Sequence, residues 1–176
     1  MNALLDKAPA ARRVLVTGAQ GFLGRGLVEA LARAPHIEHV VAVDVRDVPP
    51  QSRLPRVTCV VQDVRDSALV DTVGLHAIDT VVHLASIVTP GKGSNRAFEH
   101  SVDVGGTHNV VSACLAHRVG HLVVSSSGAA YGYHADNPAW LTEAHALRGN
   151  EVFAYAHHKR LVEEMLAEVR QTHPAL

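Results

Sequence analysis

The stretch TGAQGFLG, Thr17 to Gly24, constrains this chain more than any other. It follows RRVLV, a short β-branched run suited to a buried strand. It leads into FLGRGLVEALARA, where Leu23, Leu27, Ala30 and Leu31 recur on one side of a helix that Pro35 stops. Few folds pass from strand to helix through three glycines. Gly18 permits the tight turn, Gly21 lets the backbone approach a pyrophosphate, and Gly24 lets the helix pack closely. The helix then presents free N–H groups and the positive end of its dipole to an anion.

The pattern continues without a linker or an internal repeat. HVVAVDV reads as a second strand, PPQSRLP as a loop, VTCVVQDV as a third strand, and DSALVDTVG as a short helix capped by Asp66. IDTVVHLAS is a fourth strand, and TPGKGSN a loop. A long helix is expected from Ser94 to His117, a fifth strand at VGHLVVSSS, and a last helix from Phe153 to Gln171. The order β-α-β-β-α-β-α-β-α with continuously apolar strands predicts a parallel sheet covered on both faces. The expected fold class is α/β: a doubly wound, Rossmann-type sheet in three αβα layers. Residues 1–12 read as an N-terminal extension and residues 13–176 as one dinucleotide-binding domain.

Asp44 strengthens the dinucleotide reading. It ends the second strand twenty residues past Gly24, the spacing of a carboxylate that accepts hydrogen bonds from the adenosine ribose. Such a carboxylate repels a 2′-phosphate, so NAD is favoured over NADP, with Arg46 and Arg25 as nearby cations that soften the preference. The same Asp44 argues against a flavin or mononucleotide fold.

Composition narrows the partners. A net charge of −1 gives no basic field for nucleic acid or an acidic membrane surface. No apolar run approaches a membrane span. Cys59 and Cys114 lie in apolar segments and read as small buried hydrophobes in a reducing, cytoplasmic setting. The thirteen histidines are scattered without ligand spacing, so no metal site is expected.

Six segments in sequence, TGAQGFLG, QDVRD, HLAS, DVGGTHNV, SSSGAAYG and YAHHK, resemble the extended short-chain dehydrogenase/reductases, the branch with NAD-dependent epimerases and dehydratases. The resemblance runs from about Val14 to Glu164 and implies a cofactor site and a catalytic set. Gly18, Gly21, Phe22, Leu23 and Gly24 match the phosphate loop, and Asp44 the ribose acid. Asp63 and Val64 match the adenine contact, and Leu84, Ala85 and Ser86 the backbone on which the dinucleotide lies. Ser127, Tyr155 and Lys159 match the catalytic hydroxyl and the Tyr-x-x-x-Lys pair. Asp103 stands where the family usually carries Asn, and an ionised Asp only accepts hydrogen bonds, which puts any relay there in question. Family members continue beyond this length into a smaller substrate-binding part, so the sequence is expected to hold the cofactor domain without it.

The chemistry implied is hydride transfer. Tyr155 and Lys159, four residues apart, share a helix face. A free phenol titrates near about 10 and is a poor base, and an ammonium one turn on favours its phenolate form. Tyr155 would take the proton from a substrate hydroxyl while hydride leaves the same carbon for nicotinamide, and Ser127 would orient that oxygen. Lys159 would also hold the nicotinamide ribose. His157 and His158, between the pair, are expected to face elsewhere without chemistry. Thr107 and Asn109 are expected to pack or bond within the long helix, and Glu143 to be a loop or cap residue. The expected substrate is a small molecule, a nucleotide sugar in first place. The competing expectation is a non-catalytic NAD(P)-binding module, or an inactive fragment of such an enzyme. The long and final helices, through Val104, Val111, Leu161 and Leu166, are candidates for a homodimer interface.

Overall fold

The computed structural model describes residues 12–176. Of the expected extension, residues 1–11 lie outside the described residues, and Arg12 opens the first strand. The strands are β1 (Arg12–Thr17), β2 (Ile37–Asp44), β3 (Val57–Val61), β4 (Thr80–His83) and β5 (His121–Val124). All pair in parallel, in the order β3-β2-β1-β4-β5, with Val14 opposite Val40 on one side and Thr80 on the other. The helices are α1 (Phe22–Arg33), α2 (Leu69–Leu75), α3 (Arg96–His100), α4 (Gly106–Ala116) and α5 (Ala154–Thr172).

Alternation along the strands builds the three layers. Val14, Val16, Val40 and Ala42 point to one face and pack with Val28 of α1. Leu15, Val41, Val43 and Val81 point to the other and pack with Leu69 and Val73 of α2 and with Val110 and Cys114 of α4. Period-two side chains from strands buried on both sides feed two cores at once. Burial of each Val or Leu among these side chains contributes roughly 1.5–3 kcal/mol, and of the Ala42 methyl less.

Several elements differ from expectation. On α1 the buried residues are Gly24 and Val28; Leu27 and Leu31 are half-buried, Ala30 is exposed, and Leu23 is 63% exposed. The close approach at Gly24 sets how the helix sits, and that rotation turns Val28 inward and Leu23 outward. The expected long helix is interrupted by one π-helical segment, Ser101–Gly105, between α3 and α4. Ser94 stays outside it, and Asn95 caps α3 by accepting from the Phe98 amide at 2.9 Å. Asp66 does not cap α2; its carboxyl accepts from the Ala68 amide at 2.9 Å and holds the turn before that helix. Past the end of β4 the Leu84 amide is shared between the Thr17 carbonyl and hydroxyl, both at 3.2 Å, and the Ala85 amide donates to the hydroxyl alone. Cys114 is buried and Cys59 only half-buried, both as free thiols.

The chain moves outward from β1 to β3, then returns to place β4 against the other side of β1. The connections after β1 and β4 therefore leave for opposite faces, and a crevice opens at the carboxyl ends of these two strands.

Candidate active site

The glycine loop lies at that reversal. Gly18 has φ +67°, and a Cβ built there would stand 2.7 Å from the Ala85 nitrogen. Only glycine fits both the left-handed backbone and the contact with the end of β4. A Cβ at Gly24 would stand 2.8 Å from the Ala19 Cα, so the third glycine seats α1 against its own loop. The N-terminus of α1 has no side-chain cap and no acid in its first turn. Phe22 (96% exposed) and Leu23 (63% exposed) stand on that first turn, outside the lining of the cavity that Gly18 and Gly21 share.

Gly18, Gly21, Asp44 and Asp63 line one cavity of about 350 Å³, together with Val64. Leu84, Ala85 and Ser86 form its β4 side. The cavity also takes in Arg46, one of the two expected cations, and Gln62, Ile87, Phe98 and Val102, which the sequence did not single out. Asp44 is buried and accepts from the Gln20 amide at 2.8 Å, the Arg46 amide at 3.0 Å and Arg46 Nε at 3.1 Å. Of the two expected cations, Arg46 thus pairs with Asp44, whereas Arg25 donates to the Gln20 carbonyl. Asp63 is gripped by Arg65, whose Nε and terminal nitrogen donate at 3.0 and 2.7 Å; that grip holds the carboxyl below its ordinary range. The Arg65 guanidinium rests 4.8 Å from the centre of the Phe98 ring.

The expected catalytic residues come from β5 and α5. Lys159 is 5% exposed and donates from Nζ to the Ser125 carbonyl at 2.9 Å, which ties α5 to the end of β5. Its ammonium lies 5.7 Å from the centre of the half-buried Tyr155 ring. Burial pushes the Lys159 ammonium below its ordinary range, and the carboxylates of Asp103 and Glu163 oppose that shift. Ser127 sits at the start of a 3-10 turn, Gly128–Tyr131, where its Oγ accepts from the Ala129 amide at 3.2 Å. Ser127 lines a second cavity of about 660 Å³, shared with Glu143, His145, Glu163 and Arg170. The structure thus joins Tyr155 to Lys159 and gathers Gly18, Gly21, Asp44, Asp63, Val64, Leu84, Ala85 and Ser86 around one cavity; Phe22, Leu23, Gly24, Tyr155 and Lys159 lie outside its lining, and Ser127 lines another.

Behind the site is a buried polar network that sequence reasoning missed. The Thr17 hydroxyl accepts from the Leu84 and Ala85 amides, so its own proton goes to His83 Nδ1 at 2.6 Å. His83 Nε2 then donates to the Thr107 oxygen at 3.0 Å, and the Thr107 hydroxyl donates to the Asp103 carbonyl at 2.5 Å. Only a neutral His83 satisfies this chain. Burial, and next the charge of Lys159, push its pKa down to about 3. Two residues here were not read in full from the sequence. His158, one of the scattered histidines, is 1% exposed, and its Nδ1 lies 3.0 Å from Asp103 Oδ2. Asn109 bonds outside its helix, donating to the carbonyls of Val64 and Asp66 at 2.7 and 2.8 Å, and Thr107 bonds both within and outside. His158 gave no local signal, because its partner lies 55 residues earlier.

A parallel sheet that reverses its order beside a glycine loop, with a Tyr–Lys pair on the helix after its last strand, is the frame of the extended short-chain dehydrogenase/reductases. The chain belongs to the NAD dependent epimerase/dehydratase family, whose model matches residues 14–176. It is 35% identical over 121 residues to UDP-glucose 4-epimerase of Halalkalibacterium halodurans, covering 68% of this chain and 36% of that protein. A crystal structure of UDP-glucose 4-epimerase from Brucella ovis in complex with NAD is 30% identical, with a TM-score of 0.76, covering 91% of this chain and 48% of the other. Uronate dehydrogenase from Agrobacterium tumefaciens is 26% identical with a TM-score of 0.74, covering 94% and 58%. The chain spans less than two thirds of each of these proteins. The cofactor of the family is NAD, and the residues present fit it: a loop that a Cβ would block, an uncapped helix start, and a buried carboxylate on one cavity.

Proposed function

We propose that this chain binds NAD in the crevice at the β1–β4 reversal and moves hydride between the cofactor and a hydroxylated small molecule. The pyrophosphate lies on the Gly18–Gly24 loop and the first-turn amides of α1. Asp44 accepts from the adenosine ribose, using oxygen lone pairs left free by its three loop contacts. Asp63, pre-set by Arg65, and Val64 meet the adenine, and Leu84, Ala85 and Ser86 carry the dinucleotide onward. Bound NAD supplies the hydride acceptor. Tyr155 takes the substrate hydroxyl proton, Lys159 supplies the positive charge that favours its phenolate, and Ser127 orients the reacting oxygen.

The observation that carries the reading is Lys159. A buried ammonium anchored to the Ser125 carbonyl beside a phenol ring is a costly arrangement that a binding module does not need. A sugar nucleotide is the substrate class favoured by the epimerase relatives. In a coupled assay with NAD and UDP-sugars, Tyr155→Phe is expected to keep NAD binding within about twofold and to lose turnover by about a hundredfold or more. Equal turnover by parent and variant would overturn the catalytic assignment. A second reading, NAD binding without turnover, is favoured by the separate cavity on which Ser127 lies. NAD binding with no turnover by the parent on any sugar tested decides for it.

A homodimer through the neighbouring π segment, α4 and α5 belongs to the same proposal. Val104, Leu161 and Leu166 are half-buried and available for it, whereas Val111, 4% exposed, is claimed by the core. A strictly monomeric mass in solution would count against it. Two free thiols and a near-neutral net charge fit a cytoplasmic enzyme, and among the described residues no helix is long and apolar enough to cross a membrane.

A further inference from the structure

The buried pair Asp103–His158 has no part in the chemistry assigned so far. Asp103 lies in the π segment and is 3% exposed. Its Oδ1 accepts from Ser86 Oγ at 3.0 Å and from the Ile87 amide at 2.8 Å, so the loop after β4 fixes that oxygen as an acceptor. The amide is an obligate donor, and an Asn at this place would satisfy this side equally well. The other oxygen makes the difference. Oδ2 faces His158 Nδ1 at 3.0 Å, and His158 Nε2 is buried without a partner among the described residues. A carboxylate requires the proton on Nδ1. An Asn amide would donate to Nδ1 instead and force the proton onto the unpartnered Nε2. Charge at residue 103 and tautomer at residue 158 are therefore one choice.

We propose that Asp103, clamped by His158, is a positioning residue for the Tyr155–Lys159 pair: a buried carboxylate fixed against the helix turn that carries Lys159. The proposal rests on reading Tyr155–Lys159 as the catalytic pair. Lys159 follows His158 directly on α5, so the residue that holds the carboxylate and the residue that needs it share one turn. The groups facing this cluster are few. His100 of α3 meets the His158 ring edge-on with centroids 5.4 Å apart, and His157 lies beside it at 6.1 Å. Glu163 faces Lys159 from one turn further along α5, and His83 of β4, held neutral, adds no charge. Burial pushes the Lys159 ammonium below its ordinary range, and the two carboxylates, Asp103 before Glu163, oppose that shift.

The test reads Lys159 and His158 directly in the full chain, without NAD or substrate. The sequence has only three lysines, Lys7, Lys92 and Lys159, so a lysine-labelled NMR titration resolves each. Asp103→Asn is expected to lower the Lys159 midpoint by about one pH unit or more, with Lys92 unmoved. His158→Asn, which keeps an N–H at the Nδ1 place, is expected to retain the parent midpoint, and His158→Leu to lose it. An unchanged Lys159 midpoint in Asp103→Asn overturns the proposal. The 15N pattern of His158 in the unaltered protein is expected to show the Nδ1–H tautomer at neutral pH; the Nε2–H tautomer overturns it too, and decides alone where a variant does not fold. Turnover with an unmoved Lys159 sinks this inference only, and a shifted Lys159 in a chain without turnover sinks only the catalytic reading.

Discussion

Gly18 shows how much a single residue can fix. Its positive φ and its contact with the Ala85 nitrogen mean that a methyl group there must either strain the backbone or push β4 away from β1. Gly18→Ala is expected to cost about 2–4 kcal/mol of stability and to weaken NAD binding at least tenfold, as read by urea unfolding and by cofactor titration. A variant with the parent's unfolding midpoint would show that the loop tolerates a side chain. The glycines and Asp44 were legible in the sequence because each depends on backbone geometry at a fixed distance along the chain. His158 was not. A histidine inside a helical run carries the same local signal whether it faces solvent or a buried carboxylate, and Asp103 sits 55 residues away in sequence. Leu23 misled for a related reason: helical spacing defines a stripe, but the close seat of Gly24 decides which way that stripe turns.

Among the elements, strands were read correctly in type because short Val, Leu and Ile runs bounded by glycine or polar residues suit buried strands, although at the edge β5 leaves His121 and Val123 exposed. The break in the long helix was invisible. Apolar residues continue at near-helical spacing through Val102, Val104, Val110 and Val111, and one wider turn disturbs that rhythm very little. Its hint was Gly105–Gly106, where a Cβ on the second glycine would stand 2.6 Å from a Val64 methyl. The end of α2 offers an opposite case, a non-glycine where glycine suits better. Ala77 has φ +46°, is exposed, and donates its amide to the Gly74 carbonyl at 3.0 Å, closing the helix. Ala77→Gly removes the left-handed penalty at some cost in unfolded-chain entropy, so a net gain of about 0.5–1 kcal/mol is expected. A lower thermal midpoint than the parent would refute the assignment of strain to that residue.

On the scale of the molecule, the order of the strands follows from their apolar character and from right-handed crossovers, but the bond between the layers does not. Thr17 ends β1, His83 ends β4 and Thr107 lies in α4, and one line of hydrogen bonds runs through all three at the reversal of the sheet. That line exists only with His83 neutral, since a second ring proton would face the Thr17 hydroxyl proton. Burial, with Lys159's charge second, has taken His83 from an ordinary 6.5 to about 3 in the fold. The sign follows directly: below about 6.5 the unfolded chain binds a proton that the folded chain refuses, so stability is full above that pH and falls as pH drops toward 3. The slope from this one group is about 1.4 kcal/mol per pH unit inside that window. Urea unfolding of the parent and of His83→Gln at pH 7.5, about 6 and about 5 isolates it, because the other histidines titrate alike in both. The variant is expected to be weaker at pH 7.5, where it has lost a satisfied buried network. The gap should narrow with each step into acid; two parallel lines would mean that His83 takes up its proton in the fold as readily as in the open chain, and that the network does not depend on its neutrality.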